Sequence, residues 1–279
     1  MKQMKILSKS LQSKFDHLKQ CLAAMKAVAV GFSGGVDSAF LLRAAGDAMG
    51  KNVLAVTAVS ETTPRRELGQ AVLFARAVGV RHLQVPTREL DLPEFVDNTC
   101  DRCYVCKKYR FERIRQTAEA HGIFLLADGE NLDDANDFRP GRRAADELGI
   151  RHPLVEAGMN KSDIRQLSQW LNLTTWNRPS SACLASRIPC GSRITAEKLR
   201  QVDEAEEFIR RLDISSQIRV RHEGETARIE ADTAAICRLA DDSIRQKIVT
   251  HLQRLGFRFV SLDLEGYCTG NMNTALRAD

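Results

Sequence analysis

Between residues 27 and 176, short apolar runs alternate with stretches whose apolar positions recur at helical spacing. The runs at 27–31, 53–59, 82–85 and 124–127 are short and sharply bounded, as buried strands are. Helical periodicity covers 37–48, 65–77, 107–120 and 161–171. Strand, crossover helix and parallel strand with short connections predict an α/β fold, an open doubly wound parallel sheet covered on both faces. Ligands of such sheets sit at the carboxyl ends of strands, so the loops after Phe32, Val59 and Ala127 form the expected binding rim. Beyond 176 the pattern changes. Residues 178–194 hold Pro179, Pro189, Gly191, Ser180, Ser181, Ser186, Cys183 and Cys190, and read as an ordered functional loop. A helix over 196–212, strands over 217–222 and 226–230, a helix over 233–255 and a strand over 257–264 then predict a small α+β domain. The expected division is thus a nucleotide-type domain at 1–177, a linker loop at 178–194 and an α+β domain at 195–279.

The turn after the first strand is Ser33-Gly34-Gly35-Val36-Asp37-Ser38, and the apolar positions Ala39, Phe40, Leu41, Leu42 and Ala45 follow it. Strand, glycine turn and helix N-terminus in succession aim backbone N–H groups outward at the positive end of the helix dipole, a site for phosphate oxygens. Gly34 and Gly35 let the backbone approach the anion, and Ser33 and Ser38 add hydroxyl donors. A carboxylate repels phosphate, so Asp37 is expected either to cap the helix or to hold Mg²⁺. No Gly-Lys-Ser/Thr follows, and the glycines lack the GxGxxG spacing, which excludes both of those nucleotide loops.

Composition narrows the class of partner. The 41 basic against 36 acidic residues leave a charge of +5, which suits anionic nucleotides. No basic stretch is interleaved with aromatics, so nucleic acid is not an expected partner. No apolar run approaches the roughly 20 residues of a membrane span, so no membrane partner is expected. Residues 1–19 are polar, basic and helical in pattern rather than a signal peptide, so a cytoplasmic location is expected. In that reducing compartment the eight cysteines are not expected to form a disulfide framework. Cys21 and Cys237 fall in helical patterns and read as small buried side chains. Cys100-x-x-Cys103-x-x-Cys106 has spacing suited to zinc or iron–sulfur ligation, but a fourth ligand would have to come from His82, His121 or a non-protein group.

The glycine loop resembles the SGGxDS loop (PP-loop) of the ATP pyrophosphatases, which split ATP into AMP and pyrophosphate to adenylate a substrate. Further strings match one branch of them: Asp101-Arg102-Cys103-Tyr104-Val105-Cys106-Lys107, Asp128-Gly129-Glu130-Asn131-Leu132-Asp133-Asp134 and Phe138-Arg139-Pro140-Gly141. Cys183-Leu184-Ala185-Ser186-Arg187-Ile188-Pro189, Arg219-Val220-Arg221, Arg228-Ile229-Glu230 and Asp263-Leu264-Glu265-Gly266-Tyr267 continue the match. Together they resemble the LarE family of ATP-dependent sulfur transferases over about 27 to 273. The resemblance implies that a carboxylate of pyridinium-3,5-dicarboxylate mononucleotide attacks the α-phosphate of ATP, after which sulfur displaces AMP. The product is a thiocarboxylate used to build a nickel-pincer nucleotide. ATP binding falls to Ser33, Gly34, Gly35, Asp37 and Ser38. Arg187, Arg219, Arg221 and Arg228 are expected to bind anions, the substrate phosphate among them; Arg219 and Arg221 alternate on a strand and so share a face. Asp133 and Asp134 either hold Mg²⁺, receive the ribose or make a turn and helix cap, and Glu230 either orients Arg228 or binds metal. Cys183 corresponds to the family's sulfur-donating cysteine, which in the sacrificial form loses its Cβ–S bond and becomes dehydroalanine. Its thiolate is the required nucleophile, and Arg187 and Arg193 bring positive charge nearby in sequence. The resemblance also implies a homo-oligomer.

Two positions depart from the commoner family form. The usual IPYG is here Ile188-Pro189-Cys190-Gly191, and the usual GYRSG is Gly266-Tyr267-Cys268-Thr269-Gly270. Both changes introduce cysteine, which suggests that Cys183, Cys190 and Cys268 converge to hold a [4Fe-4S] cluster with one open iron able to carry sulfide. The expectation is therefore the cluster-dependent form, fed by an external sulfide donor, with the sacrificial form and a cluster or zinc ion on Cys100, Cys103 and Cys106 as alternatives. A tRNA-thiolating enzyme, an amide synthetase of the NAD- or GMP-synthetase kind and a non-catalytic nucleotide or metal sensor are further alternatives. The first lacks an RNA-binding stretch, the second offers Cys183 no role, and the third leaves the intact loop and Cys183 unexplained.

Overall fold

The computed structural model describes residues 7–135, 140–179 and 182–268. Phe138, Arg139, Ser180, Ser181, Thr269, Gly270 and Asn273, which belong to the strings and loop above, lie outside them. In chain order the elements are α1 (Lys9–Ala24), β1 (Val28–Gly31), α2 (Val36–Met49), β2 (Val53–Val59), α3 (Arg65–Ala77), β3 (Arg81–Pro86), α4 (Pro93–Val96), α5 (Arg102–Glu119) and β4 (Leu126–Ala127). They continue with α6 (Leu132–Ala135), α7 (Pro140–Glu147), α8 (Pro153–Glu156), α9 (Lys161–Trp170), α10 (Ala196–Arg211), β5 (Ile218–Glu223), β6 (Thr226–Ala231), α11 (Ile236–Ala240), α12 (Asp242–Arg254) and β7 (Phe259–Leu262). Among the described residues no helix is long and apolar enough to cross a membrane.

The chain divides into two units. The first comprises Met1–Ser60, Arg65–Glu89 and Asp101–Ser181, and the second Glu61–Pro64, Leu90–Cys100 and Ala182–Asp279. In the first, four parallel strands run in the order β3-β2-β1-β4. Period-two alternation supplies both faces of this sheet. Val28, Val30, Val53 and Ala55 pack with Leu11, Phe15, Leu18 and Leu22 of α1, Phe40 of α2 and Ile164 of α9. Ala29, Leu54 and Val56 pack instead with Phe111 and Ile114 of α5. Burial on both sides is why β1 and β2 read as unbroken apolar runs. The strand expected at 124–127 shrinks to Leu126–Ala127, the residues in register with Ala29 and Val30 of β1; the Leu125 carbonyl still accepts from the Ala29 N–H at 2.9 Å, and Phe124 is left 74% exposed.

In the second unit β5 and β6 are antiparallel, and β7 joins β6 in parallel. Ile218, Val220, Ala227 and Ile229 face a core shared with Ala205 and Ile209 of α10 and Ile248 and Leu252 of α12. The helix expected over 233–255 is broken. Asp241 takes an extended conformation, and its side chain accepts from the N–H of Ser243 to start α12. Cys237 does not bury as expected: it is exposed, and Cys21 is half-buried.

Candidate active site

The glycine turn forms as its sequence demands. Gly34 has φ +78°, a left-handed conformation, and a Cβ there would lie 3.1 Å from that of Ala71. Gly35 is the N-cap of α2 and offers no side-chain cap, so the first-turn N–H groups keep their helix-terminal donor capacity. The Ser33 and Ser38 hydroxyls are 3.0 Å apart, and that of Ser38 also donates to the Gly35 carbonyl. Asp37 takes no capping role. It sits in the first turn, and its carboxylate pairs with the Lys161 ammonium at the start of α9. Burial pushes the Asp37 carboxyl up, with Lys161 opposing it, and Oδ1 is buried without a hydrogen bond. A carboxylate so desolvated, with an oxygen to spare, suits a cation bound with phosphate.

α9 is held in place for this contact. Asn160 and Asp163 form a capping box around its N-terminus, and the Lys161 N–H donates to Asp133 at 2.9 Å. Asp134 accepts from the Asn131 amide at 2.7 Å, while the Asn131 oxygen caps α6 through the Asp133 and Asp134 N–H groups. Arg178 donates to the Gly34 carbonyl at 2.6 Å, which ties the segment before residue 180 to the turn. Neither Lys161 nor Arg178 was singled out by sequence. The capping box marks a helix start at Lys161, but nothing local names its partner 124 residues away.

Gly129 lies against the turn: a Cβ there would come within 2.7 Å of the Ser38 nitrogen. The flanking Asp128 and Glu130 are buried and His152 beside them is half-buried, and ligand atoms of the three lie within 4.8 Å of one another. Asp128 accepts from His152 Nδ1 at 2.7 Å, and the Lys107 ammonium is 3.1 Å from Asp128 and 3.6 Å from Glu130. Burial alone would raise the Asp128 carboxyl, but His152 and Lys107 outweigh it and hold it low. Burial alone would lower the His152 imidazole, but Asp128 and Glu130 raise it. Two carboxylates facing a lysine and a readily protonated histidine make a self-neutralising support for the loop.

In the second unit, Arg219 and Arg221 share the face of β5 opposite the helical core, beside Arg228 and Glu230 of β6. Arg221 and Arg228 form ion pairs with carboxylates. Arg221 pairs with Glu230 at 2.5 Å, and Arg228 pairs with Glu223 and Glu230 at 2.9 Å and with Asp263. Glu230 thus pairs with both Arg221 and Arg228. Arg187 is fully buried and bidentate to Glu206, and it donates to the carbonyls of Ala182 and Cys183 at 2.7 and 3.0 Å. It therefore braces the turn that carries Cys183. Burial alone would raise the Glu206 carboxyl, yet Arg187 and then Arg210 and Arg219 hold it at about 2. Arg219 donates to the Ile218 carbonyl and lies over the Tyr267 ring. Burial, then Arg187, destabilises its charged form.

Cys183 is half-buried, and Cys190 and Cys268 are exposed. Cys183, Cys190 and Cys268 do not make a close set such as Asp128, Glu130 and His152 make among the described residues. That spacing is what one ion requires; thiolates on separate irons of a cubane stand farther apart. The sulfur beside Cys190 is that of Cys100, at 3.8 Å. Cys103 and Cys106 lie in the first turns of α5, which begins at Arg102 rather than 107.

Residues 9–111 match the NAD synthase family. Uncharacterized protein slr1717 of Synechocystis is 40% identical, over 95% of this chain and 99% of its own. The pyridinium-3,5-bisthiocarboxylic acid mononucleotide synthase of Lactiplantibacillus plantarum is 37% identical over 96% of both chains. Uncharacterized protein MJ0830 of Methanocaldococcus jannaschii is 27% identical over 94% of this chain and 95% of its own. With the glycine loop formed on a parallel sheet and with the extent of the second of these matches, the chain belongs to the LarE family of PP-loop enzymes.

Proposed function

We propose that this protein adenylates a carboxylate of pyridinium-3,5-dicarboxylate mononucleotide with ATP and replaces oxygen by sulfur, as a step in nickel-pincer cofactor synthesis. The observation that carries the reading is the intact Ser33–Ser38 turn in a chain matching a bisthiocarboxylic acid mononucleotide synthase end to end. Residues 1–177 take the ATP step. The Ser33, Gly34, Gly35 and Ser38 donors bind phosphate oxygens, and Lys161 adds positive charge where negative charge develops. Asp37, with Asp133 and Asp134, would hold Mg²⁺, which supplies Lewis-acid polarisation of the triphosphate. The carboxylate oxygen bonds to the α-phosphorus and the bond to pyrophosphate breaks.

Residues 178–194 and 195–279 take the sulfur step. Arg219, on the face of β5 opposite the helical core, is assigned to the substrate phosphate. Arg221 and Arg228 flank it, and Arg187 keeps Cys183 in position. Cys183, Cys190 and Cys268 would hold a [4Fe-4S] cluster, a fit supported by their soft, reduced and at least partly accessible thiols. When bound, such a cluster would carry sulfide from an external donor, the nucleophile needed to displace AMP, and Cys183 would then be spared. One observation favours a second ligand set: Cys100 of the Cys100–Cys103–Cys106 series touches Cys190.

Anaerobic enzyme given ATP and the substrate should release pyrophosphate and AMP and form a thiocarboxylate. Substrate-independent hydrolysis, or ATP binding without turnover, would sink the reading. Unchanged protein mass over many turnovers supports the cluster form; a protein lighter by the elements of H₂S, with dehydroalanine at 183, would establish sacrifice. Loss of iron–sulfur absorbance in Cys190→Ala and Cys268→Ala selects the first ligand set; its loss only in Cys103→Ala and Cys106→Ala selects the second. The same experiment with a size-exclusion standard reads the homo-oligomer that we also propose.

A further inference from the structure

Cys100 and Cys190 stand opposite each other on backbone that the fold clamps. Asn98 is fully buried at φ +57°, and its side-chain amide donates to the carbonyls of Pro189 and Ser192 at 2.7 and 2.8 Å. The Gly191 N–H donates back to the Asn98 carbonyl at 3.0 Å, and the Ile194 N–H donates to that of Val96 at 2.9 Å. These bonds flank Cys190 on both sides and hold the backbone two residues before Cys100, and the two sulfurs approach to 3.8 Å. Both side chains are exposed. Closing a bond between them brings the sulfurs from 3.8 Å to about 2.05 Å by movement of two exposed side chains.

We propose that Cys100 and Cys190 are a reversible dithiol–disulfide site whose oxidised form controls loading of the sulfur-transfer centre. The consequence rests on the cluster reading above. Cys190 belongs to one candidate ligand set and Cys100 to the other, so a bond between them removes a ligand from whichever set is used. The oxidant is a small-molecule disulfide of the oxidised-glutathione class. The thiolate of one cysteine attacks it, forming a mixed disulfide and expelling one thiolate. The second cysteine then attacks the protein-bound sulfur, expelling the other. Two protein thiols become one disulfide, the reagent is reduced to two thiols, and a dithiol reductant reverses the exchange.

The test uses the full-length protein, stripped of metal and equilibrated anaerobically in glutathione buffers of graded poise. Peptide mass mapping should find Cys100 joined to Cys190 at oxidising poise, and dithiothreitol should remove the bond. Cys100→Ser and Cys190→Ser should each lack it. Reconstitution with iron and sulfide should give the iron–sulfur absorbance in reduced protein and lose it in oxidised protein. Failure of the bond to form, or its formation between Cys103 and Cys106 instead, overturns the site. A complete bond with undiminished loading overturns the control. No iron in even the reduced protein would overturn the cluster reading and with it the control, a failure told apart because the bond is read by mass without metal.

Discussion

Glu206→Gln keeps the shape of a buried side chain and removes its charge, leaving Arg187 and Arg210 facing a neutral amide. Two independent routes give the cost. Breaking a buried ion pair by removing one partner costs about 3–5 kcal/mol. The second route uses the depression of the carboxyl from 4.5 to about 2, which corresponds to about 3 kcal/mol at neutral pH. A lowered native pKa contributes stability that is complete above the unfolded value and lost as pH falls through the native one. The difference between wild type and variant should therefore be full above pH 4.5, about half as large at pH 3, and small at about 2. Urea unfolding followed by circular dichroism at pH 7, 5 and 3 measures it, with hydrogen exchange of α10 and β5 peptides reporting the second unit alone. A variant within about 0.5 kcal/mol of wild type at pH 7, the range of an ordinary surface change, would refute the reasoning. So would a difference that does not shrink with acid.

Gly129→Ala should fold but displace the Ser38 turn, since its Cβ meets the Ser38 nitrogen at 2.7 Å; pyrophosphate release should fall about a hundredfold with an unchanged dichroism spectrum. Lys161→Met should lower kcat/KM for ATP on the order of a hundredfold, and unchanged ATP kinetics would remove Lys161 from the phosphate site. The His152 imidazole should titrate above 6.5 by NMR and return toward it in Asp128→Asn. Because that pKa is raised, the pair's stabilisation is complete below 6.5 and fades as pH rises through the native value. An imidazole titrating at or below 6.5 in the wild type would contradict the pairing.

The sequence disclosed what depends on neighbours in the chain. β1, the glycine turn and α2 form one local unit, and the alternation of Arg219 and Arg221 on one face follows from strand geometry alone. What it hid depends on distance. Lys161, Arg178 and His152 reach their partners only after the sheet is assembled, and none carries a local mark of that destination. Arg187 read as a ready anion contact because an isolated arginine looks exposed, whereas Glu206 neutralises it in the interior. The break at Asp241 escaped because aspartate is tolerated inside a helical pattern and the cap appears only in the dihedrals.

The second unit takes Glu61–Pro64 and Leu90–Cys100 from the first half of the chain. During synthesis these segments leave the ribosome long before the residues that hold them. Asn98 waits for a carbonyl 94 positions later, and the Thr62 carbonyl waits for the N–H of Leu184. Such non-local closure slows folding, and it gives a prefolding chaperone a defined interval in which to act. It also means that no single cut separates two self-sufficient pieces. A gene fusion or exchange that moved only the C-terminal part would leave its clamp behind, so the two units are bound to be inherited together.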